Sequence, residues 1–487
     1  MGSIWRSTRG VTLAALGGLI AVGAMGPGPA AAGEAGPSLT KVQAIYAADF
    51  VATAASGFVM NDAGDVAGRS YIDIGCGPFC LPPQETVVWR GGQRIVLPPL
   101  PGYSGTGVTG INNLGWIAGY AGSYDFPRAV VWKPNGNIYQ VIDLGTLPGP
   151  NMVSAATGID DLGRVVGSSS PSNLPPAGAF MWTEAGGIVD LAALGYPNET
   201  PSAISPGGTV ATLSTWYVLG NPGSVVTMPP APRDFYIGGG IINDAGDQAR
   251  FLVSTGPQNL IYLFRFHHEG AGTWQMLSSA GTGHLSSAGL GGINSERDVS
   301  ATVLSTAVIA PGPDGLAKGL APLLSPAYQG ATLGSGGPMN GPGQILARVM
   351  IGRSERLVKL VGATPCGANC IQIGSLKMTG KFIRDPDAPP DYCTPNASNH
   401  VVAKVGVTDE LGKALQGVVV KGHFLDDYWM GKAVTGTTNK KGIVKFVHNG
   451  VACVGAVAFL VDDATKAGRS FDRTKGILTN YVIPLPK

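Results

Sequence analysis

Gly110-Ile111-Asn112-Asn113-Leu114-Gly115-Trp116-Ile117-Ala118-Gly119 is the stretch that decides how this chain folds. An apolar lead-in, an Asn-x-x-Gly turn and a small-apolar exit spell two short strands joined tightly. Asn, Asp or Ser favours the first position of a type I turn and Gly the fourth. An Asx side chain can also bond to backbone two residues on. Downstream, Arg128-Ala129-Val130-Val131-Trp132 and Tyr139-Gln140-Val141-Ile142-Asp143-Leu144 add two strands around the turn Lys133-Pro134-Asn135-Gly136. The unit reads as a four-stranded meander.

The signature recurs. First turn residues fall at 61, 112, 160, 205, 243, 294 and 340, with steps of 51, 48, 45, 38, 51 and 46. A period in the forties suits a four-stranded propeller blade, so the expected fold is an all-β propeller of seven four-stranded blades. Two units depart: Arg297 replaces the Gly, and Pro342 takes the third position. Different turn geometry is expected there. The third strand repeats as Thr86-Val87-Val88-Trp89, Ala129-Val130-Val131-Trp132 and Ala179-Phe180-Met181-Trp182, which points to packing between blades. The segment 307–330, rich in Pro, Gly and Leu, has no clear place in this pattern.

Composition agrees with an all-β chain. Among 487 residues, Gly is 74 and Pro 37, yet hydrophobic residues reach 44% and charged ones only 13%. Arg6 and Arg9, the apolar stretch 11–25 and Ala30-Ala31-Ala32 read as a secretory signal over residues 1–32. The apolar stretch is short for a membrane span, which needs about 20 residues. Without Arg6 and Arg9, 31 basic residues balance 31 acidic ones. No basic stripe marks a nucleic-acid partner; glycan, cell-wall or protein ligands suit a neutral surface better. The expected protein is secreted, extracellular or periplasmic, and monomeric.

Six cysteines support export. Cys76/Cys80 and Cys366/Cys370 are Cys-x-x-x-Cys pairs, and Cys393 and Cys453 remain. Zinc is allowed by the short spacings, but disulfides are the expectation in an oxidising compartment. The blades are expected over 38–380, followed by a Pro-rich linker at 381–392. Residues 393–487, with strand runs and the turns Asp409-Glu410-Leu411-Gly412 and Thr437-Thr438-Asn439-Lys440-Lys441-Gly442, read as a small Ig-like β-sandwich.

The units resemble the HAF-repeat extracellular proteins of bacteria. Gly158 to Gly167, Ala179-Phe180-Met181-Trp182 and Asp143-Leu144-Gly145-Thr146-Leu147 carry the likeness, although Arg128 and Gly178 stand where that family has His. The resemblance implies secretion and a repeat architecture, and transfers no catalytic residue. The segment 437–442 gives the C-terminal region a likeness to Ig-like modules of secreted bacterial proteins.

No catalytic motif is visible. Asp62, Asp65, Asp160, Asp161, Asp244 and Asp247 sit in recurring turns, and Asp143 and Asp190 recur on one strand, so turn and cap roles are expected. Calcium is weighed at 61–65 and 243–247 and set behind that role, since each loop offers three side chains where calcium takes six to eight oxygens. His267-His268-Glu269 is the one His cluster, and adjacent strand residues face opposite ways. No cofactor is expected. Trp116, Trp216, Tyr217 and Trp274 break the repeat and are the candidate ligand contacts. The function expected is a noncatalytic extracellular binding or interaction scaffold; the alternative is a propeller enzyme, a glycoside hydrolase or lyase, acting on an extracellular polysaccharide.

Overall fold

Seven sheets are built on the recurring turn. The computed structural model describes residues 45–52, 55–71, 84–91, 93–123, 125–171, 178–233, 235–254, 261–268, 273–277, 289–303, 306–312, 315–328, 331–351, 354–383, 399–425, 432–451 and 457–482. The signal-like segment 1–32, Cys76, Cys80, Cys393 and Cys453 lie outside them. Each turn joins the first two strands of a four-stranded antiparallel sheet. Sheet 1 comprises Ala55–Met60, Val66–Tyr71, Gln84–Arg90 and Gln93–Val96, and sheet 2 comprises Thr106–Ile111, Ile117–Ala121, Arg128–Asn135 and Ile138–Asp143. Sheet 3 runs from Met152–Ile159 to Gly187–Asp190, sheet 4 from Ala203–Ile204 to Asn221–Thr227, sheet 5 from Phe235–Ile242 to Thr273–Met276 and sheet 6 from Gly289–Ile293 to Lys318–Gly319. Sheet 7 takes Ala331–Met339, Ile345–Ile351 and Ser354–Ala363, and its fourth strand is Ile45–Ala52 from the other end of the chain.

All seven turns share one geometry. The fourth residue's N–H donates to the first residue's carbonyl at 2.9–3.1 Å, from Gly64 through Arg297 to Gly343. The first side chain accepts from the residue after the turn, as in Trp116 N to Asn112 Oδ1 at 2.8 Å, Asp298 N to Asn294 Oδ1 at 2.8 Å and Gln344 N to Asn340 Oδ1 at 2.9 Å. The different geometry expected at the sixth and seventh turns is therefore corrected. Arg297 adopts φ 66°, the left-handed region that Gly occupies without cost, and Pro342 is accommodated.

The Gly two residues before the turn has a packing reason. Pairing slips at this point in sheets 2 and 3, and a Cβ on Gly110 would stand 3.1 Å from the Gly158 backbone in the next sheet. The turns then bond sheet to sheet. Nδ2 of Asn61, Asn112 and Asn243 donates to the carbonyl of Asn112, Asp160 and Asn294 at 3.0, 2.8 and 3.0 Å. Asp160 has no amide to give, and the Asp161 N–H donates to Pro206 O instead. Thr209 Oγ1 reaches Asp244 O at 3.0 Å, and Ser300 Oγ reaches Gly337 O at 3.0 Å. Asn340 Nδ2 donates to Asn61 O at 3.0 Å, so sheet 7 is bonded back to sheet 1.

Apolar clusters fill most seams. Trp132 lies with Val88 and Ile117 between sheets 1 and 2, and Trp182 with Val131 and Val165 between sheets 2 and 3. Tyr217 packs with Val166 and Leu191 between sheets 3 and 4, and Phe251 with Val299 between sheets 5 and 6. Fully burying such a side chain contributes roughly 1.5–3 kcal/mol.

Two further four-stranded sheets follow, one containing Cys370–Lys381, His400–Thr408, Ile443–Asn449 and Ser470–Gly476, the other Val419–Leu425, Lys432–Thr437, Val457–Thr465 and Thr479–Val482. Cys370–Lys381 thus pairs across the Pro-rich stretch with His400–Thr408. Between these sheets Phe446 stacks on Phe459, and Phe424 meets Phe459 edge-on. The described part of 307–330 carries the short strand Lys318–Gly319 and the 3-10 turn Ala321–Leu323. It docks on the C-terminal sheets through Leu478 N to Ala327 O at 2.7 Å and Ser325 Oγ to Arg473 O at 2.9 Å.

Candidate functional site

The residue after each turn faces the end of its sheet's third strand. In sheet 1 that slot holds an ion pair, Arg90 Nε to Asp65 Oδ2 at 3.3 Å. In sheet 2 it holds a cation over a ring, Lys133 Nζ 4.4 Å from the Trp116 centroid. In sheet 5 it holds a carboxylate and two imidazoles. Asp247 is 0% exposed; His268 Nδ1 lies 3.2 Å from its Oδ1 and His267 Nδ1 3.8 Å from the same oxygen. Oδ2 accepts from Arg297 Nε of sheet 6 at 2.8 Å. The expectation that the two histidines face apart is corrected. The strand Ile261–His267 ends at the first of them, so His268 is free of the strand's alternation.

Electrostatics fixes the charge of this carboxyl. Burial pushes Asp247 up, but the two histidines, the Arg297 charge and Asn243 outweigh it and hold it well below the usual carboxylate range. His267 is beyond hydrogen-bond reach and acts as a polar neighbour; His268 makes the direct contact. A buried carboxylate that grips Nδ1 sets an imidazole's tautomer and orientation. His268 keeps 28% of its side chain exposed, and the Trp216 ring meets it edge-on at 5.7 Å.

Other acids are occupied. Asp62 and Asp161 both accept from Asn113 Nδ2, at 3.1 and 2.8 Å. Burial raises Asp160, and Arg164 counters by bonding it at 2.6 Å. At the acidic turn 243–247, both Asp247 oxygens already face cations or imidazoles.

Strand Gln248–Ser254 adds a second buried charge. Arg250, 0% exposed, donates to Gln248 Oε1 and to the carbonyls of Thr212, Leu213 and Gly238. Burial pulls its guanidinium down to about 10 while Glu199 opposes this, so it remains cationic at neutral pH. Glu199 accepts from Thr212 Oγ1 and Ser214 Oγ, each at 2.5 Å.

The aromatic candidates divide. Trp116 packs against the sheet 3 turn, 3.2 Å from a Cβ on Gly163. Trp216, on sheet 4, and Trp274, on the last strand of sheet 5, are half-buried. Tyr217 is corrected: it is 0% exposed and stacks on Tyr196 at 4.8 Å. The Cys366–Cys370 disulfide is formed, and Glu410 accepts from the backbone N–H groups of Asn369, inside its loop, and of Cys370 itself. Asp247 was read in the sequence as one more turn acid. Gln248 and Arg250 carry no sequence signal, whereas the His267-His268 cluster, the repeat-breaking Trp216 and Trp274 and the loss of Gly at Arg297 each mark the place.

Among the described residues no helix is long and apolar enough to cross a membrane. No family model matches the sequence, and no curated protein matches it. Solved structures do. One, assigned as a gluconolactonase, is 12% identical over 67% of this chain and 97% of its own, with a TM-score of 0.32. Prolyl oligopeptidase B from Galerina marginata is 8% identical over 74% of this chain and 54% of its own, with a TM-score of 0.34. A GH43 glycoside hydrolase with endo-xylanase and exo-arabinofuranosidase activity is 9% identical over 90% and 96%, with a TM-score of 0.17. All three are enzymes, and the expectation of a noncatalytic, non-enzymatic scaffold is withdrawn on that finding. At such scores no substrate or residue role is carried across.

Proposed function

We propose that this protein is a secreted enzyme that cleaves an extracellular polysaccharide, as a glycoside hydrolase or lyase, with His268 as its proton-transfer group and Asp247 as the residue that positions it. The observation that carries this reading is the buried carboxylate held between Arg297 and His268 Nδ1. With Nδ1–H donating to Asp247, Nε2 is left to take a proton from substrate or water and return it to a leaving oxygen. The reading takes the seven sheets as blades of a propeller, with the bond from Asn340 to Asn61 as closure, and the last two sheets as an appended Ig-like sandwich. The HAF-repeat likeness and the signal-like N-terminus support export.

The test is a panel of polysaccharides incubated with the full chain, followed by new reducing ends and by the ultraviolet absorbance of an unsaturated sugar end. Both signals together mean a lyase, and reducing ends alone mean a hydrolase. His268→Gln should lower turnover by about 10²–10⁴-fold. No cleavage of any polysaccharide, or full activity in His268→Gln, would sink the proposal.

A further inference from the structure

The seam between sheets 4 and 5 is unlike its neighbours. Among the described residues no apolar cluster crosses it, whereas the seams on either side are apolar. Gln248 and Arg250 lie on one face of their strand, and Arg250's bonds to Thr212 O and Leu213 O turn that face toward sheet 4. Phe266 pairs with Gln248 and Trp274 with Phe266, so they share the face. Trp216 comes from sheet 4, its ring 3.0 Å from a Cβ on Gly246.

Three N–H groups on this seam, Gln248 Nε2, Trp216 Nε1 and Trp274 Nε1, are buried without a hydrogen-bond partner. Gln248 is 0% exposed, and its Oε1 is taken by Arg250 Nε and Nη2. Leaving a buried donor unmade is costly. The groups on offer are donors on a seam that also holds the Arg250 cation, bonded to Gln248. A sugar hydroxyl both donates and accepts, whereas an ionised carboxylate or sulfate only accepts. The donor set therefore matches the acceptor-only group.

We infer that this seam receives the anionic oxygens of an acidic polysaccharide, carboxylate or sulfate, and so sets the substrate class of the site at His268, which Trp216 touches. The inference rests on the enzymatic reading above.

The experiment is calorimetric binding of the full chain to polygalacturonate, alginate, dextran sulfate and dextran, with cleavage measured alongside. At least one acidic polymer should bind and be cleaved, and dextran should not; the uronates against dextran sulfate tell carboxylate from sulfate. Trp216→Phe, Trp274→Phe and Gln248→Glu should each weaken acidic-polymer binding by about tenfold or more. The two Trp variants should keep or raise the melting temperature, because they delete an unmade donor. Equal binding of dextran, or wild-type affinity in all three variants, overturns the inference. His268→Gln separates the two claims. Lost cleavage with wild-type affinity in the seam variants removes the substrate class alone. Full cleavage in His268→Gln with weakened binding in the seam variants removes the catalytic reading alone.

Discussion

The same Asx-x-x-Gly turn occurs in two regions with different consequences. Asn112, in sheet 2, accepts from Leu114 N and Trp116 N and also donates to Asp160 O in sheet 3. Asn439, in the C-terminal sheets, accepts from Lys441 N and Ile443 N in the same way but is exposed. Local chemistry makes the turn in both. Only in the seven-sheet region does the amide reach a neighbour, because a second sheet presents its own turn carbonyl there. A residue type chosen for turn formation thus becomes an inter-sheet tie where the repeat stacks.

The largest effect should come from the slot after the turn in sheet 5, where a fully buried carboxylate meets Arg297 and His268. Asp247→Ala should cost about 2–4 kcal/mol, since it removes a buried carboxylate and with it the charge-assisted bond from Arg297 Nε and the contact with His268; denaturant unfolding checks it. Asn112→Ala should cost about 1–3 kcal/mol by orphaning the Leu114 and Trp116 N–H groups and cutting the tie to Asp160 O, which keeps its turn bond from Gly163 N. Asn439→Ala, where water can replace the side chain, should cost about 1 kcal/mol or less. Equal losses at the two Asn positions would break the comparison.

Acid should give a graded version of the first result. Asp247's folded pKa is depressed below its ordinary 3.8. Its contribution to stability is therefore present above about pH 4 and is lost as pH falls from there toward the folded value. Melting temperature against pH should be flatter on the acid side in Asp247→Asn than in the parent chain. An unchanged acid limb would mean that Asp247 is not linked to folding.

Much of the scaffold was legible. The Asn and Gly spacing marked the first hairpin of each sheet, and the recurring Trp marked the strand that packs on the preceding sheet. The legible part is local: turn type and alternation need only near neighbours. Tyr217 shows where this stops. Trp216 and Tyr217 are consecutive and point to opposite faces, but each face of sheet 4 meets another sheet, so alternation alone cannot say which side is the packed one. The sixth turn shows a second limit, since a bond from Arg297 to Asp247 in the neighbouring sheet accompanies a backbone conformation that sequence rules assign to Gly.

By itself the sequence determined the all-β character, the seven repeats and their turn chemistry, because these follow from dihedral preference and hydrogen bonding within a few residues. Tertiary structure alone decided that Asp247, His268, Arg297 and Trp216 meet, and that Gln248, Trp216 and Trp274 share a seam. Those residues come from three sheets up to 81 positions apart, and their protonation and partners depend on burial and on charges that no local pattern encodes.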